Sequence, residues 1–435
     1  MNKQILQLAI PNIIANITVP LLGMVDLIIV GHFGNSLYIA GMAVATVIFN
    51  LIYWVFGFLR MGTSGFTAQA FGAHNDRESA AIFVRSISIA LLIASCLICL
   101  QKPIAQFAMW TIDSSNEVKS LALRYFFVRI WAAPATLSIY SFNGWFIGMQ
   151  NSKTPMWIAI FMNIINVAIT LIFVYVLHWD IEGIAGGIVI TQYSGLLMAS
   201  LFFIIKYPHI RKLLNIKTSL VLSEMKSFFR VNRDIFLRTL CLTCVFSFFP
   251  IAGAKISDDI LAINTLLLQF FTIFSYITDG FAYAGESLTG KYIGAKDGIN
   301  LKKSVQYIFQ WGTVLSAVFV IVYGFFGSYL LQIFTDDIAL VENARPYFWW
   351  VLMVPICGFA AFLWDGIYIG ATASWEMLIS MLIATAVFFG VYYLFVDQLQ
   401  NNAVWLALMI YLAARGIGQT LLSKKAIFGK VTDKS

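Results

Sequence analysis

The sequence predicts an all-α polytopic membrane protein, with twelve transmembrane helices in two six-helix lobes related by a pseudo-twofold axis along the membrane normal. Three observations carry this. Of 435 residues, 60% are hydrophobic and 11% charged, and the mean hydropathy is +0.83. A soluble domain carries about 25% charged residues and about 45–50% apolar ones, so this chain needs the bilayer as its solvent. Several runs, among them 155–177, 183–205, 304–334 and 377–396, hold no charge for longer than one bilayer crossing. The two halves of the chain also align at a constant offset of 222 residues.

At about 20 residues per spanning helix, plus loops, the length allows roughly a dozen helices. The apolar runs do not alternate with polar residues, which argues against a β-barrel. Helices are expected near 9–31, 38–71, 80–101, 121–148, 154–177, 183–205, 232–254, 260–292, 303–333, 345–370, 376–396 and 403–422. The polar breaks are short, with one exception. A basic stretch at 206–231 reads as a cytoplasmic linker between an N-terminal lobe, 1–205, and a C-terminal lobe, 232–435. No cleavable signal peptide is expected, because the first apolar run contains Pro11, Pro20 and Asp26.

The net charge of +7 follows from loop placement rather than from a nucleic-acid partner. With the N-terminus inside, eighteen of the 28 Lys and Arg fall in inner segments and four, Lys102, Lys119, Lys255 and Arg345, in outer ones. The remaining six, Arg60, Arg85, Arg124, Arg129, Arg238 and Arg415, lie within spans. This bias orients both termini to the cytoplasm of an inner (plasma) membrane. The five cysteines all lie in apolar runs. Their two Cys-x-x-Cys spacings, 96/99 and 241/244, lack the further ligands of a metal site.

At the offset of 222, Thr67 falls on Thr289, Gly72-Ala73 on Gly294-Ala295, and Tyr125-Phe126 on Tyr347-Phe348. Gly144 falls on Gly366 and Ile147-Gly148 on Ile369-Gly370. An even number of spans per half makes the repeat parallel, the arrangement of a two-lobed transporter.

Four acids sit well inside spans: Asp26, Asp279, Glu286 and Asp365. A charge there costs at least about 2.5 kcal/mol on insertion scales, so each needs a partner or a function. Asp26 has no basic residue in its own helix, and its repeat counterpart is Phe248. It is a candidate to take up and release a proton, or to offer a carboxylate to sodium. Asn163, Asn166 and Thr170 share one face of the fifth span at i, i+3, i+7, and Thr191 lies in the sixth. Such side chains also bind membrane helices to one another. Asp279 and Glu286, seven apart, share a face of the eighth span, and Asp365 lies in the tenth. These three are expected to form a second-lobe polar cluster, partly satisfied by hydroxyls or by an arginine that the sequence does not single out. His32 reads as an interfacial residue. No Walker motif, phosphate-binding glycine loop or metal-ligand cluster is evident, so neither ATP hydrolysis nor any other enzyme activity is expected.

Several segments resemble the MATE (multidrug and toxic compound extrusion) transporters. Ala9-Ile-Pro-Asn12, Pro20-Leu-Leu-Gly-Met-Val-Asp26 and Val30-Gly-His-Phe-Gly34 resemble that family's first helix. Gly144-Trp-Phe-Ile-Gly-Met-Gln-Asn-Ser-Lys-Thr-Pro155 resembles its fourth-to-fifth helix turn. Asn232-Arg-Asp-Ile-Phe-Leu-Arg-Thr239 and Asp279-Gly-Phe-Ala-Tyr-Ala-Gly-Glu286 are similar to its DinF-like branch. The resemblance implies cation-coupled drug export without a cofactor. It maps the first-helix carboxylate onto Asp26, the helix bend of some members onto Pro11, and the cation-site Asn and Thr onto Asn166 and Thr191. Pro20 is a second candidate for the bend. Where members with a sodium site carry an Asp four residues after that Asn, this chain has Thr170. The seventh helix also lacks the Glu of other branches. One carboxylate in place of two favours H+ over Na+ as the coupling ion. The expected activity is a monomeric antiporter for amphipathic, often cationic compounds in the lipid bilayer. The alternative is a lipid-linked oligosaccharide flippase of the same superfamily.

Overall fold

The computed structural model describes residues 1–31, 36–335 and 337–432. His32, Phe33 and Gly34 of the first-helix motif lie outside them. Among the described residues, ten helices are long and apolar enough to cross a membrane. They are α2 (Ser36–Gly72), α3 (Asp76–Cys99), α5 (Lys153–Val176), α6 (Ile181–Lys206), α7 (Met225–Ala254), α8 (Asp258–Gly294), α9 (Gly298–Gly327), α10 (Ile338–Gly370), α11 (Ser374–Leu399) and α12 (Asn401–Val431). Two further helices complete the expected twelve. One is α1, Asn2–Gly31. The other is α4, where Asn116–Arg129 continues through a 3-10 turn into Ala133–Gly148. At about 1.5 Å per residue, each is long enough for a hydrocarbon core of about 30 Å. α2 is broken by a turn at Phe56-Gly57, and a short helix, Gln101–Thr111, follows α3. α1 stays helical through Pro11 and Pro20, although neither has an N–H to give to the ladder.

The chain forms two compact units. The N unit is Ile14–Phe228; the C unit is Met1–Ile13 with Phe229–Ser435. The division falls inside α1, two residues after Pro11. The first turns of α1 dock within the C unit, where a Cβ at Gly280 would run into the Ile13 side chain and the Ala9 carbonyl. Trp311 donates Nε1 to Asn2 Oδ1 at 3.2 Å in the same unit. Aromatic clusters fill both interiors, around Trp145 and Phe203 in the N unit and around Phe270 and Trp405 in the C unit. Apolar side chains such as Phe325 and Leu421 point outwards, as a lipid-facing surface requires.

The repeat is written into the backbone. Left-handed residues occur at His74 and Lys296, at Gln150 and Thr372, and at His178 and Gln400, each pair at the sequence offset. The first two pairs close helices in the same way. His74 and Asn75 donate to Phe71 and Ala70, while Lys296 and Asp297 donate to Ile293 and Tyr292. Gln150 and Asn151 donate to Ile147 and Phe146, while Thr372 and Ala373 donate to Ile369 and Tyr368. The caps that open the next helices also correspond: Asn75 Oδ1 accepts from Glu78 N, and Asp297 Oδ1 from Asn300 N, both at 3.0 Å. Gly144 lies against the Arg60 carbonyl, and Gly366 against that of Ala282, again at equivalent positions.

The basic stretch between the repeats is folded. It carries short helices at Pro208–Arg211 and Ile216–Ser219. Ile210 is buried, and Arg85 Nε donates to the Ser219 carbonyl at 2.8 Å. Arg85 also reaches Glu78 at 2.7 Å, so this span arginine anchors the stretch on the N unit.

Candidate functional site

In the N unit, helices bring polar side chains into an apolar interior. Asp26 of α1 is 4% exposed, and Asn166 and Thr170 of α5 are fully buried. The last two occupy one face because residues four apart on a helix return to the same side. The Asn166 amide lies beside the Asp26 carboxylate without closing a hydrogen bond to it. Among the described residues, Asp26 Oδ1, both amide atoms of Asn166, the Thr170 hydroxyl and the Tyr53 hydroxyl are buried with no hydrogen-bond partner. Buried polar groups are normally paired, so a cluster of unsatisfied ones makes this the candidate site of the N unit.

Two expected members take another course. Thr191 donates its hydroxyl to the Gly187 carbonyl at 2.8 Å, and Asn163 gives Nδ2 to the Ala159 carbonyl at 2.9 Å. Gly187 itself lets α6 close on α5, since a Cβ there would meet Thr170 Oγ1.

Arg129, one of the six span arginines, stands within electrostatic reach of Asp26. Its guanidinium carbon sits 4.7 Å from the Phe49 ring centre and 5.5 Å from that of Tyr125. Nη1 donates to the Tyr125 hydroxyl at 3.0 Å, and among the described residues Nε has no hydrogen-bond partner. The i, i+4 spacing from Tyr125 to Arg129 is a readable signal for that bond, but not for the carboxylate. The neighbouring Arg124 turns to the rim and pairs with Glu182 through Nη2 at 2.7 Å. At that rim Tyr38 donates to Asp180 at 3.3 Å.

In the C unit, Asp365 of α10 is the centre of a second cluster. Arg238 of α7 and Arg415 of α12 both donate to its Oδ2, Arg415 at 2.5 Å. Gln419 Nε2 donates to Oδ1 at 2.8 Å. Glu286 is fully buried where Gly370 of α10 lies against its carbonyl, and Asp279 interacts with Tyr276. Pro11 belongs to this unit and Pro20 to the other. No group of three or more His, Cys, Asp or Glu suited to a metal ion occurs among the described residues.

The MatE family model matches residues 11–172 and again 235–395, once per repeat. The chain belongs to the MATE family. MATE proteins are transporters, not enzymes, so this is a multi-pass membrane transporter. It is 34% identical to DNA damage-inducible protein F of Escherichia coli K12, over 96% of this chain and 90% of that one, which sets it in the DinF-like branch. It is 23% identical to the probable multidrug resistance protein NorM of Thermotoga maritima, over 79% of this chain and 74% of that one. A crystal structure of MATE in the bent conformation shares the fold, with a TM-score of 0.87, 20% identity and coverage of 99% and 96%. An outward-facing MATE transporter of the MOP superfamily gives 0.86, 20% identity and coverage of 100% and 97%. The twelve-helix, two-lobe MATE fold expected from the sequence is therefore the fold of this chain.

Proposed function

We propose that this transporter is a proton-coupled antiporter exporting amphipathic, often cationic compounds. It works as a monomer in the inner (plasma) membrane, with both termini in the cytoplasm. The observation that carries the reading is the burial of one carboxylate, Asp26, beside one guanidinium, Arg129, and an unsatisfied amide and hydroxyl. With Asp26 ionised, the pair is neutral and an organic cation can lean on the acid. When Asp26 takes a proton, Arg129 is left uncompensated and the site becomes positive. An organic cation is then repelled, which is the differential affinity that coupling needs. Sodium is disfavoured by the same arrangement, because the family's second carboxylate is Thr170 here and a fixed cation stands nearby.

Asn166 and Thr170 are the groups that rearrange around Asp26, while Thr191 and Asn163 stay committed to carbonyls of their own helices. Pro11 and Pro20, which have no N–H to give to the helix ladder, are the points at which α1 bends. Asp365, held by two arginines, acts as a fixed charge, and Asp279 and Glu286 are separate polar groups on α8 of the same unit.

The test is uptake of a fluorescent organic cation into proteoliposomes under an imposed pH gradient, with and without sodium. Transport driven by the pH gradient in sodium-free buffer is expected. Transport that requires sodium would overturn the proton assignment. Scrambling of a lipid-linked oligosaccharide without cation transport would establish the flippase reading in its place.

A further inference from the structure

The C unit buries more positive than negative charge at one point. Arg238 and Arg415 are 5% and 1% exposed, and among the described residues both pair with a single carboxylate, Asp365. An arginine does not shed its proton in a protein, so titration cannot remove the excess. Asp234, one turn before Arg238 on α7, is engaged elsewhere: it takes Arg233 at 2.8 Å and the Ser374 hydroxyl at 2.9 Å. The charged or ionisable groups that bear most on Arg415 are the Asp365 carboxylate and the Tyr411 side chain. Tyr411 donates its hydroxyl to Met381 Sδ, at 3.0 Å. A buried charge without a counter-charge is strongly unfavourable in a low-dielectric interior.

The same cluster holds donors with nothing to donate to. Among the described residues, Nε of Arg238, Nε of Arg415 and Oγ1 of Thr385 on α11 are buried without a hydrogen-bond partner. Thr385 lies beside Cys241, one turn along α7 from Arg238. Two guanidinium N–H groups, a hydroxyl and one uncompensated positive charge make the donor set of an anion site.

We propose that the Arg238–Asp365–Arg415 cluster is a binding site for one small monovalent anion, chloride or a carboxylate group, held by the two Nε–H groups with Thr385 at its edge. The site lies within the C unit and stands whatever ion drives transport.

The experiment is thermal unfolding of the purified full-length protein in detergent, followed by tryptophan fluorescence. Chloride or formate replaces gluconate at constant ionic strength. The midpoint is expected to rise saturably with the small anion. A rise with chloride alone assigns an inorganic ion, and one with formate alone assigns a carboxylate. Arg238→Gln leaves a neutral Arg415–Asp365 pair, and should weaken the anion's half-saturation point roughly tenfold or more. Arg238→Lys keeps the charge and should keep the response. A wild-type midpoint indifferent to both anions would overturn the proposal, as would an unaltered response in Arg238→Gln. Calorimetric titration of chloride into the wild type measures the same binding without any variant.

Discussion

The Arg129 guanidinium carbon stands 4.7 Å from the centre of the Phe49 ring. With the Tyr125 ring 5.5 Å away and Asp26 within reach, this arginine occupies surroundings suited to an organic cation. Cation–aromatic contacts contribute about 0.5–2 kcal/mol, so an internal cation there competes with a transported one. Arg129→Gln should therefore tighten binding of tetraphenylphosphonium several-fold, while Arg129→Lys should not. Weaker binding together with a lowered unfolding midpoint would show instead that Arg129 only braces its helices.

Asp26→Asn should abolish export driven by a pH gradient while leaving the protein folded. Asn is nearly isosteric and still hydrogen-bonds, and it removes a charge whose burial is costly. Uptake into energised inverted vesicles checks this, beside the unfolding midpoint. Transport at wild-type rates with unchanged pH dependence would sink the coupling role of Asp26.

Gly144→Ala and Gly366→Ala should each destabilise the protein by about 1–3 kcal/mol, because a methyl has no room at either place. Gly144 faces the Arg60 carbonyl and Gly366 that of Ala282, both backbone, which cannot swing aside. Thermal unfolding in detergent should show similar losses for the two, as equivalent crossings of the repeat require.

Asp297 caps α9, accepting from the Asn300 backbone N–H at 3.0 Å and its amide at 2.6 Å. These bonds hold its carboxyl below the usual carboxylate range, the backbone bond most of all. The stabilisation is present above the ordinary value of about 3.9 and is lost as pH falls through the lowered one. Asp297→Ala should lower the unfolding midpoint at neutral pH, and the gap to wild type should close in acid. A gap that stays constant through the acid range would contradict a charged cap.

Arg85→Gln should free the stretch between the repeats from Ser219 and Glu78. Faster proteolysis within 206–231 is the expected readout. Reversing the charges of Lys212 and Lys217, both exposed, should leave transport within a few-fold. Loss of transport in that second variant, with normal folding, would show that the stretch gates or binds something.

Sequence alone determined the class, the spans and the repeat. A bilayer admits few solutions to backbone hydrogen bonding, so unbroken apolar runs of sufficient length declare helices without any knowledge of their neighbours. Asp26 was legible for the same reason: an acid in such a run is costly wherever the helix packs. The offset was legible from glycines, but not their purpose. That Gly144 and Gly366 each admit a crossing carbonyl was decided by the helix packed against them. The arginines were the least legible of all. Six lie in spans and look alike in the sequence, yet Arg124 turns to the rim, Arg85 anchors the inter-repeat stretch and Arg129 faces Asp26. Arg238 and Arg415 reach Asp365 from 127 and 50 residues away. A pairing over such separations depends on which helices become neighbours and how each is rotated, and only the folded chain sets those two quantities.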